Sequence, residues 1–133
     1  MTKISNADGL WCYLLFSKHI NYLKRKYVDF IKMINDPNYI CLRLNYEGYI
    51  IALKSGDDIE IIDLVVNISN QGTGSKILSL FTTDYIIKDQ NIFLEVNEQN
   101  TKAIMFYKKN NFKEINIRKN YYNNKYDAII LKK

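Results

Sequence analysis

A strand-to-helix junction in mid-chain restricts the fold more than any other feature. Ile59–Ile68 is dense in Ile, Leu and Val, the composition of a buried strand. The loop Ser69–Ser75 follows, with Gly72 and Gly74. Beyond it Ile77, Leu80, Phe81 and Tyr85 fall on one face of a helix. A buried strand that runs through a glycine loop into an amphipathic helix belongs to an α/β architecture.

The flanking segments extend that pattern. Asn6 or Asp8 offers a cap for a first helix carrying Leu10, Trp11, Leu14 and Leu15. A second helix is predicted from about Tyr22 to Ile34, since Tyr27, Phe30, Ile31 and Ile34 repeat at helical spacing. Asp36-Pro37 ends it, because the residue before proline disfavours helical dihedrals. Tyr39–Leu44 and Tyr49–Leu53 read as strands, with turns at Glu47-Gly48 and at Gly56-Asp57-Asp58. After the central helix, Asn91–Val96 reads as a strand, and Asn100 caps a short helix reaching Asn110. Phe112–Arg118 and Asp127–Leu131 are two more strands around a loop rich in Tyr and Asn. The expected fold is an α/β sandwich with a mixed sheet.

The length, 133 residues, fits one domain spanning 1–133, and no low-complexity linker interrupts it. The formal charge is +5, yet the chain has only Arg25, Arg43 and Arg118 as arginines and is crowded with Lys, Asn, Ile and Tyr. Those residues have AT-rich codons, so the basic balance reads as genomic bias; with no nucleic-acid motif, direct nucleic-acid binding is not expected. Lys24-Arg25-Lys26 reads as a solvated helix face. Cys12 and Cys41 lie in apolar runs without metal-ligand spacing, which predicts buried reduced thiols and no metal site. The run Leu10–Phe16 is too short to span a bilayer and makes a poor signal peptide, so a cytoplasmic protein without membrane association is expected.

Gln71-Gly72-Thr73-Gly74-Ser75 carries chemistry because of its position. Unpaired N–H groups at a helix start, together with the helix dipole, suit a phosphate or pyrophosphate. The spacing is neither that of a Walker loop nor that of a dinucleotide-binding loop. Further on stand Leu94-Glu95-Val96-Asn97-Glu98-Gln99-Asn100, Ala103-Ile104 with Phe106-Tyr107, Asn111-Phe112, Arg118-Lys119-Asn120-Tyr121-Tyr122 and Asp127-Ala128-Ile129-Ile130. From about Ile59 to Leu131 the chain resembles the GCN5-related N-acetyltransferases, and within them the ribosomal-protein-alanine N-acetyltransferases.

The resemblance implies an α/β/α sandwich around a central mixed, mostly antiparallel sheet and transfer of an acetyl group from acetyl-CoA without a metal. It implies that Glu95 is the general base and Tyr107 the general acid. Backbone amides around Leu64, Val65 and Val66 would meet the acetyl and pantetheine groups. Those of Gln71, Gly72, Thr73, Gly74 and Ser75 would meet the pyrophosphate, and Asn100 the pantetheine arm, besides its helix-cap role. Tyr121 and Tyr122 would line the acceptor site. The implied partner is a ribosomal-protein N-terminal peptide, the N-terminal alanine of small-subunit ribosomal protein eighteen. Another protein N-terminus, a lysine or a small amine is the alternative acceptor, and a coenzyme-A-binding module without turnover the alternative function. Three departures stand out. Ser69 replaces the family's Gln or Arg in the loop, Asn111 replaces a Gly, and a Pro-Trp-Ser stretch between the first two helices is missing.

Overall fold

The computed structural model describes residues 1–21 and 23–133. A seven-stranded sheet forms the middle layer, built from β1 (Thr2–Lys3), β2 (Tyr39–Leu44), β3 (Gly48–Ser55), β4 (Asp58–Val66), β5 (Asn91–Asn97), β6 (Lys113–Tyr122) and β7 (Tyr126–Lys132). Their spatial order is β1-β2-β3-β4-β5-β7-β6. All neighbours are antiparallel except β4 and β5, which run parallel. A parallel pair needs a crossover, and α3 (Thr73–Tyr85) supplies it. The mixed, mostly antiparallel α/β/α sandwich is therefore as the sequence predicts.

Two hydrophobic layers sandwich the sheet. On one face α3 and α4 (Thr101–Lys109) pack Ile77, Leu78, Phe81 and Tyr107 against Ile59, Ile61, Ile92, Leu94 and Val96. On the other, α1 (Gly9–His19) and α2 (Tyr27–Asn35) pack Cys12, Phe16, Phe30 and Met33 against Cys41, Tyr49, Ile51 and Val65. Alternation along β4 changes phase in mid-strand: Ile59 and Ile61 face the α3 layer, whereas Asp63 and Val65 do not. The cause is a bulge, since Ala52 pairs with Ile61 while the adjacent Ile51 pairs with Asp63, leaving Ile62 as the extra residue.

Several sequence expectations shift. The predicted start of the second helix, Tyr22, lies outside the described residues. Residues 23–26 carry no helix, and α2 starts at Tyr27, where the Lys26 N–H donates to Asp29 Oδ2 at 2.8 Å. Arg25 is therefore not on a solvated helix face. Its guanidinium pairs with buried Asp63 and lies over the rings of Phe16 and Phe30, at 4.4 and 5.2 Å from their centroids. Helix α1 is rolled relative to the predicted face: Cys12, Leu15 and Phe16 are buried, whereas Leu10 and Leu14 are exposed. Asp8 precedes α1 without a side-chain cap bond to it. Its carboxylate instead accepts from Ser5 N–H and Oγ, from Arg43 and from Tyr46. Cys12 and Cys41 are free and buried, as the apolar runs predict, and burial pushes their thiols up to about 12 and about 11. Among the described residues no helix is long and apolar enough to cross a membrane.

Candidate active site

The site begins where β4 and β5 part. Their parallel pairing runs from Asp58 with Asn91 to Ile61 with Leu94 and goes no further among the described residues. Past that point β4 stays paired to β3 as far as Val66, and β5 to β7 as far as Asn97. Each strand keeps one neighbour and loses the other. The carboxyl ends of two parallel strands thus form a notch whose facing edges carry backbone N–H and C=O groups open to a ligand. The bulge at Ile62 explains the split, because an extra residue bends and twists its strand away from its neighbour.

Helices α3 and α4 both start at this end of the sheet, and a groove of about 610 Å³ lies between them. Its inner part is lined by Leu64 and Val66 of β4 and Tyr107 of α4. Its outer part is lined by Gly72, Thr73, Gly74 and Ser75 at the start of α3. Gly72 takes the left-handed conformation, φ 76°, at the helix N-cap, with no side chain capping the helix. The first-turn N–H groups of α3 are thus left to a ligand or to solvent. Gly74 lets α3 and α4 approach: a Cβ there would lie 3.2 Å from the Phe106 ring.

Most of the predicted donor residues come together here, namely Leu64, Val66, Gly72, Thr73, Gly74, Ser75 and Tyr107. Val65, Gln71 and Asn100 do not line the groove. The Val65 side chain belongs to the opposite core layer. Gln71 is exposed on the loop. Asn100 caps α4, accepting from the Ala103 N–H at 3.2 Å. Ser69, singled out in the loop by the sequence, also lines the groove; residues missed by the sequence reading are Ile68 and Asn70 on the loop, and Lys102, Met105, Phe106 and Lys109 on α4. Their helical spacing in 102–109 was the available signal. Lys102 and Lys109 add cationic charge to the groove, whose loop has Ser69 in place of a basic side chain.

Tyr107 is buried, its ring edge-on to Phe106 and Phe112 with centroids 5.1 and 5.3 Å apart. Glu95 is the first residue of β5 past the parallel pairing and does not line the groove. Leu94 and Val96 point into the α3–α4 layer, so Glu95 between them points to the opposite face. That half of the sheet lies beyond α1 and α2 and carries a small polar cluster. Arg118 Nη1 donates to Glu95 Oε1 at 2.6 Å, and the guanidinium carbon lies 4.2 Å from the centroid of the Tyr121 ring. This hydrogen bond, and then the charge of Glu95, raise the Arg118 pKa above its already high ordinary value. Burial, and then the charge of Glu95, push the nearby Glu60 carboxyl upward, with Arg118 acting against them. Tyr121 is exposed whereas Tyr122 is buried, their rings edge-on at 5.0 Å. The predicted acceptor pair thus splits, and only Tyr121 presents its ring to the open face.

This mostly antiparallel seven-stranded sheet flanked by helices is the fold of the GCN5-related N-acetyltransferases. The particular solved structures that resemble it include the ribosomal-protein-S18-alanine N-acetyltransferase from Escherichia coli, at TM-score 0.83 and 21% identity over 98% of this chain and 90% of that one. Ard1 from Thermoplasma volcanium matches at 0.82 and 20%, over 99% and 94%. Arabidopsis thaliana NAA60 in complex with a bisubstrate analogue matches at 0.81 and 15%, over 99% and 95%. No family model matches the sequence, and no curated protein matches it.

Proposed function

We propose that the chain is a cytoplasmic N-acetyltransferase that moves the acetyl group of acetyl-CoA to a protein N-terminal α-amine. One observation carries this reading: the open notch between β4 and β5 continues into a groove that ends on the unpaired helix start of α3. A thioester threaded along the groove would place its reacting carbon in the notch, with its pantetheine arm against the β4 edge and its pyrophosphate at residues 72–75. Lys102 and Lys109 lie where they can meet the remaining phosphate charge.

The two faces of the notch then divide the chemistry. The acceptor amine enters from the Glu95 face, its nitrogen attacks the thioester carbonyl, and its proton passes to Glu95 directly or through one water. A terminal α-amine has a pKa of roughly 7.7–8, so a carboxylate base suffices. Collapse of the tetrahedral intermediate breaks the carbon–sulfur bond, and the departing sulfur takes a proton from the Tyr107 hydroxyl. N-terminal alanine of small-subunit ribosomal protein eighteen is the first acceptor to test, because the Escherichia coli enzyme whose fold matches is named for that activity. The test is acetyl transfer from acetyl-CoA to N-terminal peptides, lysine peptides and small amines. Preference for the alanine peptide supports the full reading. Transfer to lysine or small amines alone overturns the acceptor, and binding without any transfer overturns the enzyme.

A further inference from the structure

We propose that Arg118 is a positioning residue that holds the Glu95 carboxylate in the geometry needed to accept a proton, with Tyr121 clamping Arg118 from behind. The proposal rests on the reading of Glu95 as the base. Three observations support it. The Arg118–Glu95 bond is 2.6 Å long, so the carboxylate is tied down before any acceptor arrives. The tie uses Oε1, and a carboxylate offers about four lone-pair sites, so Oε2 keeps acceptor capacity for an amine or a water. The guanidinium is itself held, 4.2 Å from the Tyr121 ring centroid.

The local backbone explains how Tyr121 comes to lie there. Between Arg118 and Tyr122 the β6–β7 register breaks, because Arg118 pairs with Ala128 while Tyr122 pairs with Tyr126. Asn120 takes the left-handed conformation, φ 51°, and its N–H donates to Asp127 Oδ1 at 2.9 Å. This irregularity releases Tyr121 from the strand's alternation, so its ring can turn back over Arg118. Tyr121, Arg118 and Glu95 thus form a relay from the hairpin to the notch, skipping β7. Glutamate has several rotatable bonds, and a base that samples many rotamers loses the advantage of proximity. Arg118 removes that freedom in advance. Its side chain is half exposed, so its worth lies in geometry rather than in ion-pair stability.

The test is a double-mutant cycle read in kcat and in the KM for acetyl-CoA. Arg118→Met should lower kcat about tenfold or more and leave that KM within about twofold, because the donor groove is on the other face. Arg118→Lys, which keeps a cation without the planar fork, should fall between Met and wild type. Tyr121→Ala should lower kcat in the same direction. In a Glu95→Gln background neither Arg118→Met nor Tyr121→Ala should have a further effect. If Glu95→Gln is slow and Arg118→Met slows it again by the full factor, Arg118 does not act through Glu95 and the proposal falls while the base reading stands. If Glu95→Gln is as fast as wild type, the base reading falls and takes the proposal with it. Should Arg118→Met fail to fold, Arg118→Lys and Tyr121→Ala complete the same cycle.

Discussion

Tyr107 owes its position to packing and its proposed role to one oxygen. Phe106 and Phe112 hold the ring edge-on, and the residue closes the inner end of the groove. Tyr107→Phe keeps those contacts, so stability should fall by no more than about 1 kcal/mol. The hydroxyl acts as negative charge develops on sulfur, so kcat should drop roughly 10²-fold while the KM for acetyl-CoA changes little. Steady-state kinetics beside a denaturant melt separates the two effects, and an unchanged kcat would make Tyr107 a packing residue alone. Asp8 is the opposite case, a buried carboxylate remote from the groove. Burial disfavours its charge, but hydrogen bonds from the Ser5 N–H, the Tyr46 hydroxyl and Arg43 outweigh it, and its pKa falls below the ordinary value. A depressed carboxylate contributes stability above its unfolded pKa and loses it as pH falls through the folded value. Asp8→Asn should therefore destabilise at pH 7, and the gap from wild type should narrow below about pH 4. Urea unfolding at both pH values reads this directly, and a gap that stays constant would show that the charge plays no part.

At the scale of elements, α3 and α4 meet because Gly74 has no side chain. A Cβ at that position would lie 3.2 and 3.3 Å from two carbons of the Phe106 ring and 3.8 Å from Val66 Cγ1. Gly74→Val should therefore push the helices apart and fill the groove mouth, costing about 1–3 kcal/mol as an overpacked contact and weakening acetyl-CoA binding. Adding Phe106→Leu should recover stability, and a Gly74→Val protein that binds acetyl-CoA as wild type does would show that this contact does not shape the groove. Apart from β1, the strand and helix order was legible in the sequence because most strands are rich in apolar residues and the helices keep their spacing. What was not legible depends on partners distant in the chain. Arg25 leaves the predicted helix because Asp63, on the third strand after it, draws it into the core beside Phe16 and Phe30. The bulge at Ile62 carries no local signature, since Ile61 and Ile62 are interchangeable in a propensity reading, yet it splits β4 from β5. Strand β1 has two residues and exists only by pairing with Leu42 and Arg43. The loop and the α4 motif announced the donor side of the site, whereas Glu60 and the tie from Arg118 to Glu95 required the fold.

The whole molecule uses its composition in an unexpected way. It has only five glycines, yet many of its turns need left-handed backbone. Every non-glycine residue with positive φ among the described residues is Asn or Asp: Asn45, Asn70, Asp89, Asn111, Asn120, Asn123 and Asn124. Six of the asparagines that look like codon bias therefore serve as substitutes for glycine, including Asn111 at φ 72°, where the resembling family has a Gly. The strands of the sheet part at the end of the β4–β5 pair, so the open edges there should be the part of the fold a ligand changes most. Acetyl-CoA that binds the native state alone stabilises it by about 2.7 kcal/mol at a hundredfold excess over Kd, or roughly 10 °C for a chain of this size. The protection should also be local. Backbone N–H groups of residues 64–66 and 73–75 should exchange hydrogen more slowly once acetyl-CoA is bound. The β6–β7 hairpin, already paired along most of its length and outside the groove, should change only by the global increment. Hydrogen exchange with and without acetyl-CoA reads both regions in one experiment. Slowing confined to the β6–β7 hairpin would mean that the ligand does not enter between β4 and β5, and the donor groove would have to be placed elsewhere on the sheet.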